Sequence, residues 1–73
     1  MKDIRKNVYT SIGMTTYAFI KGMPYSTELL RTQLTIVDNM YLISQIDENE
    51  YGYLVDLLNA SIEFFSPVTQ PTV

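Results

Sequence analysis

Residues 46–65 carry the clearest structural signal in the chain and read IDENEYGYLVDLLNASIEFF. Asp47 and Glu50 have the spacing of an Asp-x-x-Glu capping box, in which Asp47 is the N-cap and Glu50 the third helical residue. Apolar side chains then recur at alternating steps of four and three residues, as in an amphipathic helix. They are Tyr51, Val55, Leu58, Ile62 and Phe65. This pattern predicts a helix over residues 48–65.

The preceding segment predicts a second helix over residues 27–44. Ser26 is suited to be its N-cap, and Glu28 would lie in the first turn, where the helix dipole favours an acid. Its apolar residues form two stripes, which are Leu30, Leu34, Val37 and Tyr41, and Leu29, Ile36, Met40 and Ile43. So broad an apolar surface indicates packing against more than one neighbour. The short link between the two helices predicts an antiparallel αα-hairpin.

The first segment is ambiguous between helix and strand. Apolar and Thr residues recur every four positions, as in a helix; they are Ile4, Val8, Ile12, Thr16 and Ile20. Residues 8–17 are also rich in β-branched and aromatic side chains, and a period of two fits them about as well. We predict a helix over residues 3–21 that ends at Gly22, because a lone strand would have no partner. A strand within this segment is the alternative.

These segments together predict an all-α fold. We expect one three-helix domain over residues 1–66 and an extended tail over residues 67–73. The tail contains two prolines and no charge, so it cannot extend the last helix. We expect the tail to contact a neighbouring chain.

Composition excludes several kinds of site. The chain has 73 residues and contains no Cys, His or Trp, which removes disulfides, thiolate and imidazole metal ligands, and triad chemistry. Its net charge of -3 argues against nucleic-acid binding by the whole chain. The uncharged run over residues 7–20 is too short and too polar to cross a membrane. We expect no enzymatic activity, no cofactor, no metal and no small-molecule substrate.

Small size points to partners. A domain of this length buries only about 60% of its unfolded surface, and natural domains this small usually add disulfides, a metal or oligomerisation. Because disulfides are excluded and no calcium-loop spacing links the acids, association is the remaining source of stability. We therefore expect copies of the chain itself, or a larger protein, as partners.

Charge is distributed unevenly along the chain. Residues 1–31 carry five basic and two acidic side chains, a net of +3, whereas residues 32–73 carry six acidic and no basic ones, a net of -6. Three interpretations follow: the basic segment packs beside the acidic hairpin of its own chain, it packs on the hairpin of a second copy, or the acidic surface imitates nucleic acid. We favour the first and then the second, because six acids are few for a nucleic-acid mimic.

Tyr residues and exposed charges supply the candidate interface. Tyr is enriched at interfaces because it combines contact area with a hydroxyl group. Tyr53 lies off the main apolar stripe of its helix and is the first candidate, whereas Tyr41 and Tyr51 fall on core stripes. The complete set of predicted interface residues is Tyr53, Phe64, Pro67, Val68, Pro71, Arg5, Lys6, Asp56 and Glu63.

Two stretches, residues 20–29 and 40–51, resemble a known layout. In the first, Lys21-Gly22 precedes a Ser/Thr-capped helix, and in the second an Ile-acid-x-x-Glu-Tyr box, from Ile46 to Tyr51, opens another. This layout resembles short proteins from the tail and structural modules of Gram-positive phages, the XkdX-like group, and also the short helical hairpin called SHOCT. The resemblance implies an accessory phage protein without enzymatic activity, and it assigns no site residues.

We therefore expect a small structural or assembly protein of a phage, present in multiple copies in a particle and packed through helix faces and the C-terminal tail. The alternative is a phage-encoded inhibitor that binds a host or defence protein. Both functions predict the host cytoplasm as the location during assembly, and the first adds the virion.

Overall fold

The chain folds into three α-helices and no strand over residues 3–66, which are the residues that a computed structural model describes. The helices are α1 (Ile4–Ile20), α2 (Glu28–Leu42) and α3 (Glu48–Phe65). The predicted all-α fold is confirmed, and α3 has the predicted bounds. α1 and α2 are shorter than predicted by one or two residues at each end, because their terminal residues act as caps.

Residues 8–17 lie within α1, so the strand alternative is wrong. Ser11 and Thr15 are buried, and each donates its hydroxyl hydrogen to the carbonyl oxygen four residues earlier, over 3.0 Å in both cases. Thr16 does the same toward Ile12, over 2.8 Å. These bonds satisfy the hydroxyl groups within the helix itself, which allows a polar segment to pack against the core.

The buried face of α1 departs from the predicted stripe. Ile4 and Val8 are buried as expected, but the face continues through Ser11 and Thr15, and Ile20 is 72% exposed. A constant step of four residues rotates by about 40° per step around a helix of 3.6 residues per turn. The predicted stripe therefore leaves the core before it reaches Ile20.

Helix starts follow the sequence signals with two differences. The Asp47 carboxylate accepts a hydrogen bond from the Glu50 amide at 2.8 Å, so the predicted N-cap of α3 is confirmed. The Glu50 side chain pairs with Arg5 of α1, so it does not complete the predicted capping box. The N-cap position of α2 is Thr27, whereas Ser26 stands one residue earlier and accepts from the Glu28 amide at 3.0 Å.

The ends of α1 and α2 share a common turn. Gly22 has a φ of 69°, its amide donates to Phe19, and the Met23 amide donates to Ala18, which together form a Schellman turn that ends α1 as predicted. α2 ends in the same turn, but Ser44 holds the left-handed position with a φ of 62°. A side chain in this conformation costs about 1–2 kcal/mol.

Five side chains are completely buried and connect all three helices. They are Val8 from α1, Leu30 and Val37 from α2, and Leu54 and Leu58 from α3. α2 packs most extensively against α3, in agreement with the predicted hairpin, and it also contacts α1. Even so, part of the apolar surface of α2 that was predicted to pack is not covered by either neighbour.

The second apolar stripe of α2 remains largely at the surface. Leu29 and Ile36 are 37% exposed and Ile43 is 65% exposed, while Met40 packs against the core. Tyr41, assigned to a core stripe, is 37% exposed. Three helices of this length enclose only one stripe from each member, so the outer stripe of α2 has no helix to cover it.

Leu58→Ala should lower the free energy of unfolding by about 2–5 kcal/mol, because it leaves a cavity at a completely buried position. The matched control is Leu42→Ala, at a leucine that is 76% exposed, which should change it by less than about 0.5 kcal/mol. Urea denaturation followed by circular dichroism measures both values. Equal losses for the two variants would contradict the assigned core.

Ser44→Gly should raise the free energy of unfolding by about 0.5–1 kcal/mol, because glycine adopts a positive φ without steric cost. The gain is smaller than the full steric cost since glycine also loses more backbone entropy on folding. Ser61→Gly, inside α3, is the control and should lose a comparable amount. If Ser44→Gly were also destabilising, the left-handed turn after α2 would be wrong.

Candidate protein-binding site

Four aromatic residues meet at one end of the bundle, where α1 ends, α2 begins and α3 ends. We call this cluster, of Phe19, Tyr25, Phe64 and Phe65, the aromatic end. The rings of Phe19 and Phe65 pack edge to face with centroids 5.5 Å apart, and Tyr25 and Phe65 do so at 6.1 Å. Phe64 contacts Phe65 at 4.8 Å and Phe19 at 6.1 Å.

The aromatic end is built on one buried ring and three accessible ones. Phe65 is buried, whereas Phe64 is 70% exposed, Phe19 is 47% exposed and Tyr25 is 39% exposed. Edge-to-face pairs add about 0.5–1.5 kcal/mol each beyond their buried area. The buried ring thus fixes the positions of three rings that remain available to a partner.

Two open grooves flank Tyr25. The larger, about 630 Å³, is lined by the α1–α2 connection over residues 22–27 and by Phe65. The smaller, about 250 Å³, lies between α1 and α2 and is lined in part by Met14, Ala18 and Leu29. Gly22 reverses the chain direction and Pro24 limits the backbone of the connection. The result is a concave, mainly apolar surface that suits the apolar side chains of a protein partner.

At the end of the bundle opposite the aromatic end, a group of polar contacts joins α1 to α3. The Arg5 guanidinium donates two hydrogen bonds to the Glu50 carboxylate, of which the Nε–Oε2 bond measures 3.1 Å. The Tyr9 and Tyr53 hydroxyl oxygens lie 2.7 Å apart, and Arg5 lies 5.3 Å from the centre of the Tyr53 ring. These contacts show that α1 and α3 run in the same direction.

The polar contacts shift two pKa values. Hydrogen bonding to Glu50, followed by its charge, raises the pKa of Arg5 above its ordinary value. Hydrogen bonding to Tyr53 raises the pKa of Tyr9. Both shifts favour the protonation states that hold the two helices together at neutral pH.

A third contact joins α2 to α3. The Tyr51 ring stacks on Tyr41 with centroids 4.2 Å apart, and the Tyr51 hydroxyl donates to the Asp38 carboxylate at 2.8 Å. This hydrogen bond is the main reason that the pKa of Tyr51 is raised. Tyr51 packs against the core as predicted, whereas Tyr41 forms the outer layer of the stack.

The predicted interface residues fall in separate places. Phe64 belongs to the aromatic end, and Arg5 and Tyr53 belong to the polar contacts between α1 and α3. Tyr53 is 46% exposed, so its predicted exposure is confirmed, while its contact with a partner stays a prediction. Lys6 is exposed on α1, and Asp56 and Glu63 are exposed on α3. Pro67, Val68 and Pro71, and with them the predicted tail contact, lie outside the described residues.

Sequence reasoning missed Phe19, Tyr25 and Tyr9. Phe19 and Tyr25 flank the Gly22-Met23-Pro24 break, and aromatic residues around a helix break can form a surface cluster. That signal does not show that Phe64 and Phe65, some forty residues later, meet them. Tyr9 carried no local signal at all, because its role depends on Tyr53 across the bundle.

Arg5 and Glu50 form the only salt bridge within residues 3–66. The interpretation that basic and acidic segments pair within the chain is therefore confirmed for this pair. Lys6 and Arg31 are exposed and form no salt bridge in the described range. Most of the charge asymmetry thus remains at the surface.

Neither a metal-binding cluster nor a membrane-spanning helix occurs among residues 3–66. No group of three or more acidic side chains there is arranged to hold a metal ion. No helix there combines the length and the apolar character needed to span a membrane.

Comparison with protein-family models, with curated proteins and with solved structures found no match. The resemblance to XkdX-like phage proteins and to the SHOCT hairpin stays a prediction.

Tyr53→Phe should lower the pKa of Tyr9 toward its ordinary value, because it removes the hydrogen bond that raises this pKa most. The raised pKa favours the neutral phenol of Tyr9 in the folded state. The stabilisation that this hydrogen bond contributes is therefore complete below about pH 10, and it is lost as the pH rises through the pKa of Tyr9 in the folded state. Residue-specific NMR titration of labelled tyrosine measures the shift. Tyr17→Phe, at another exposed tyrosine, is the control and should leave Tyr9 unchanged.

Proposed function

We propose that this chain is a non-enzymatic structural or assembly component of a phage particle, and that it binds a larger protein of that particle through the aromatic end. The observation that carries the proposal is the amount of apolar surface left exposed. Fourteen large apolar side chains of the described range are exposed, against eight apolar ones that are buried. Some of these side chains cluster at the aromatic end, and clustered exposed apolar side chains on a small domain are typical of a binding site.

The aromatic end is the part of this surface best suited to a partner. Phe64 projects at 70% exposure beside Phe19, and the adjoining groove is concave. Aromatic rings fixed in place are typical of residues that dominate binding energy, because they bury large area at low entropic cost. Met23, at 48% exposure, extends the apolar area around them.

One sequence feature and one structural contact support a role without catalysis. The chain has no His and no Cys, which removes the commonest general base and the thiolate nucleophile. The Glu50 carboxylate, which could otherwise act as an acid or base, is engaged by Arg5. The setting in a phage particle and the multiple copies come from the resemblance. The host cytoplasm is then the site of assembly, and the virion the final location.

A phage-encoded inhibitor of a host or defence protein is the second candidate. The concave groove beside Tyr25 favours it, because a groove of about 630 Å³ can receive a protruding apolar side chain of an enzyme or receptor. The acidic surface of residues 32–66 would then steer a basic partner. An inhibitor would act in the host cell and would not be retained in particles.

The two candidates differ in whether the chain is found in particles. We expect the 8.4 kDa chain to be detected by mass spectrometry in purified particles of the phage or prophage that encodes it. Phe64→Ser should reduce the amount incorporated at least about tenfold, because truncating an aromatic hot spot costs more than about 1.4 kcal/mol. Absence of the wild-type chain from particles would contradict the structural role and favour the inhibitor.

The matched control for this experiment is Leu42→Ser. Leu42 is 76% exposed, similar to Phe64, but it lies at the opposite end of the bundle. It should be incorporated like the wild type, and circular dichroism should show unchanged helical content for both variants. If the incorporation of both variants fell by the same factor, general solubility, and not the aromatic end, would control incorporation.

A further inference from the structure

The outward face of α1 carries charge only at its two ends. Exposed residues follow Lys6 at steps of four, three, four and three, and they are Thr10, Gly13, Tyr17 and Ile20. Lys21 comes next and lies 5.7 Å from the centre of the Tyr17 ring, which places it on the same face. Residues 7–20 contain no charged side chain on any side of the helix.

A helix whose outer face carries no charge between its two ends is typical of one that is covered on both sides. Tyr17 and Ile20 are 59% and 72% exposed, yet both are large apolar side chains. Gly13 stands at the middle of the face, and nothing lies within 4 Å of the position where a Cβ atom would be. Another helix can therefore approach the backbone of α1 closely at this point.

α3 presents a face with the same spacing and the opposite charge. Its exposed residues Asn49, Tyr53, Asp56, Ala60 and Glu63 also recur at steps of four, three, four and three. Glu48 is exposed at the start of the helix. Only acidic residues contribute charge to α3, whereas the outward face of α1 has only basic ones.

We infer that the outward face of α1 in one copy packs on the outward face of α3 in a second copy of this chain. Pairing α1 with α1 would place lysines against lysines, and pairing α3 with α3 would place acids against acids. Pairing α1 with α3 joins opposite charges and places Gly13 and Ala60, which are small, in the contact. This inference rests on the proposed function for its multi-copy setting.

The contact is head to tail, so it repeats. Each copy carries both faces on different helices, and a bound second copy still offers its own α1 to a third. Such contacts close into a ring or continue as a filament, depending on the rotation between neighbours. The aromatic end remains free for a different partner.

The direction of packing determines which acid meets Lys6. Within one copy, α1 and α3 run in the same direction, and Arg5 lies level with Glu50 at a separation of 45 residues. If neighbouring copies also run in the same direction at the same level, Asp56 is the acid of the outward α3 face nearest to Lys6. If they run in opposite directions, Lys6 lies near Glu63.

Sedimentation velocity of the purified full chain, from micromolar to millimolar concentration, tests the inference. The wild type should self-associate, more weakly at high salt, and Lys6→Glu should weaken association about tenfold. An acid in the first turn of α1 is favourable to the helix dipole, so Lys6→Glu should retain the fold. Arg31→Glu, an equal charge change at an exposed position of α2, is the control and should associate like the wild type.

Charge restoration identifies the partner face. Adding Asp56→Lys or Glu63→Lys to the Lys6→Glu chain should recover association, and the acid that does so gives the direction of packing. A monomeric wild type, equal effects of Lys6→Glu and Arg31→Glu, or no recovery with either second change would each overturn the inference. None of these results bears on Phe64→Ser incorporation, so the two proposals fail separately.

Discussion

The structure depends on the burial of five side chains, Val8, Leu30, Val37, Leu54 and Leu58, which are the only completely buried large residues of the described range. Every helix contributes at least one of them, so the detachment of any helix would expose the core to water. A core this small gives a marginal domain. It also leaves no room for the second stripe of α2, the outer face of α1 or the aromatic rings beyond Phe65. The apolar surface on which both proposals rest is thus the direct result of a core that three short helices fill.

Features encoded by neighbouring residues were predictable from the sequence. The Asp47 cap, the period of α3 and the Gly22 stop act within a few residues, and each is present in the structure. The helix over residues 8–17 was harder, because it relies on hydroxyl hydrogen bonds to the preceding turn, which composition does not reveal. The aromatic end could not be predicted, since Phe19 and Phe64 are brought together only by the shared direction of α1 and α3. The same holds for Arg5 and Glu50.

The shared direction of α1 and α3 also explains how charge is used. Two helices that start at the same end place like ends of their dipoles side by side, which is unfavourable. Three acids at the start of α3 and the Arg5–Glu50 pair offset this arrangement. The remaining charges lie outward, basic on α1 and acidic on α3. One part of the uneven charge is therefore used inside the molecule, where it aligns α1 with α3. The rest lies on the surface and is available for contacts between molecules.

An odd number of helices has a mechanical consequence. Because α1 and α3 run in the same direction, the first described residue and the last lie at opposite ends of the bundle, about 25 Å apart along the helix axes. A tensile force applied through the flanking chain acts parallel to these axes and loads the helix contacts in shear. The buried side chains then resist together, whereas a two-helix hairpin would open from one end contact by contact.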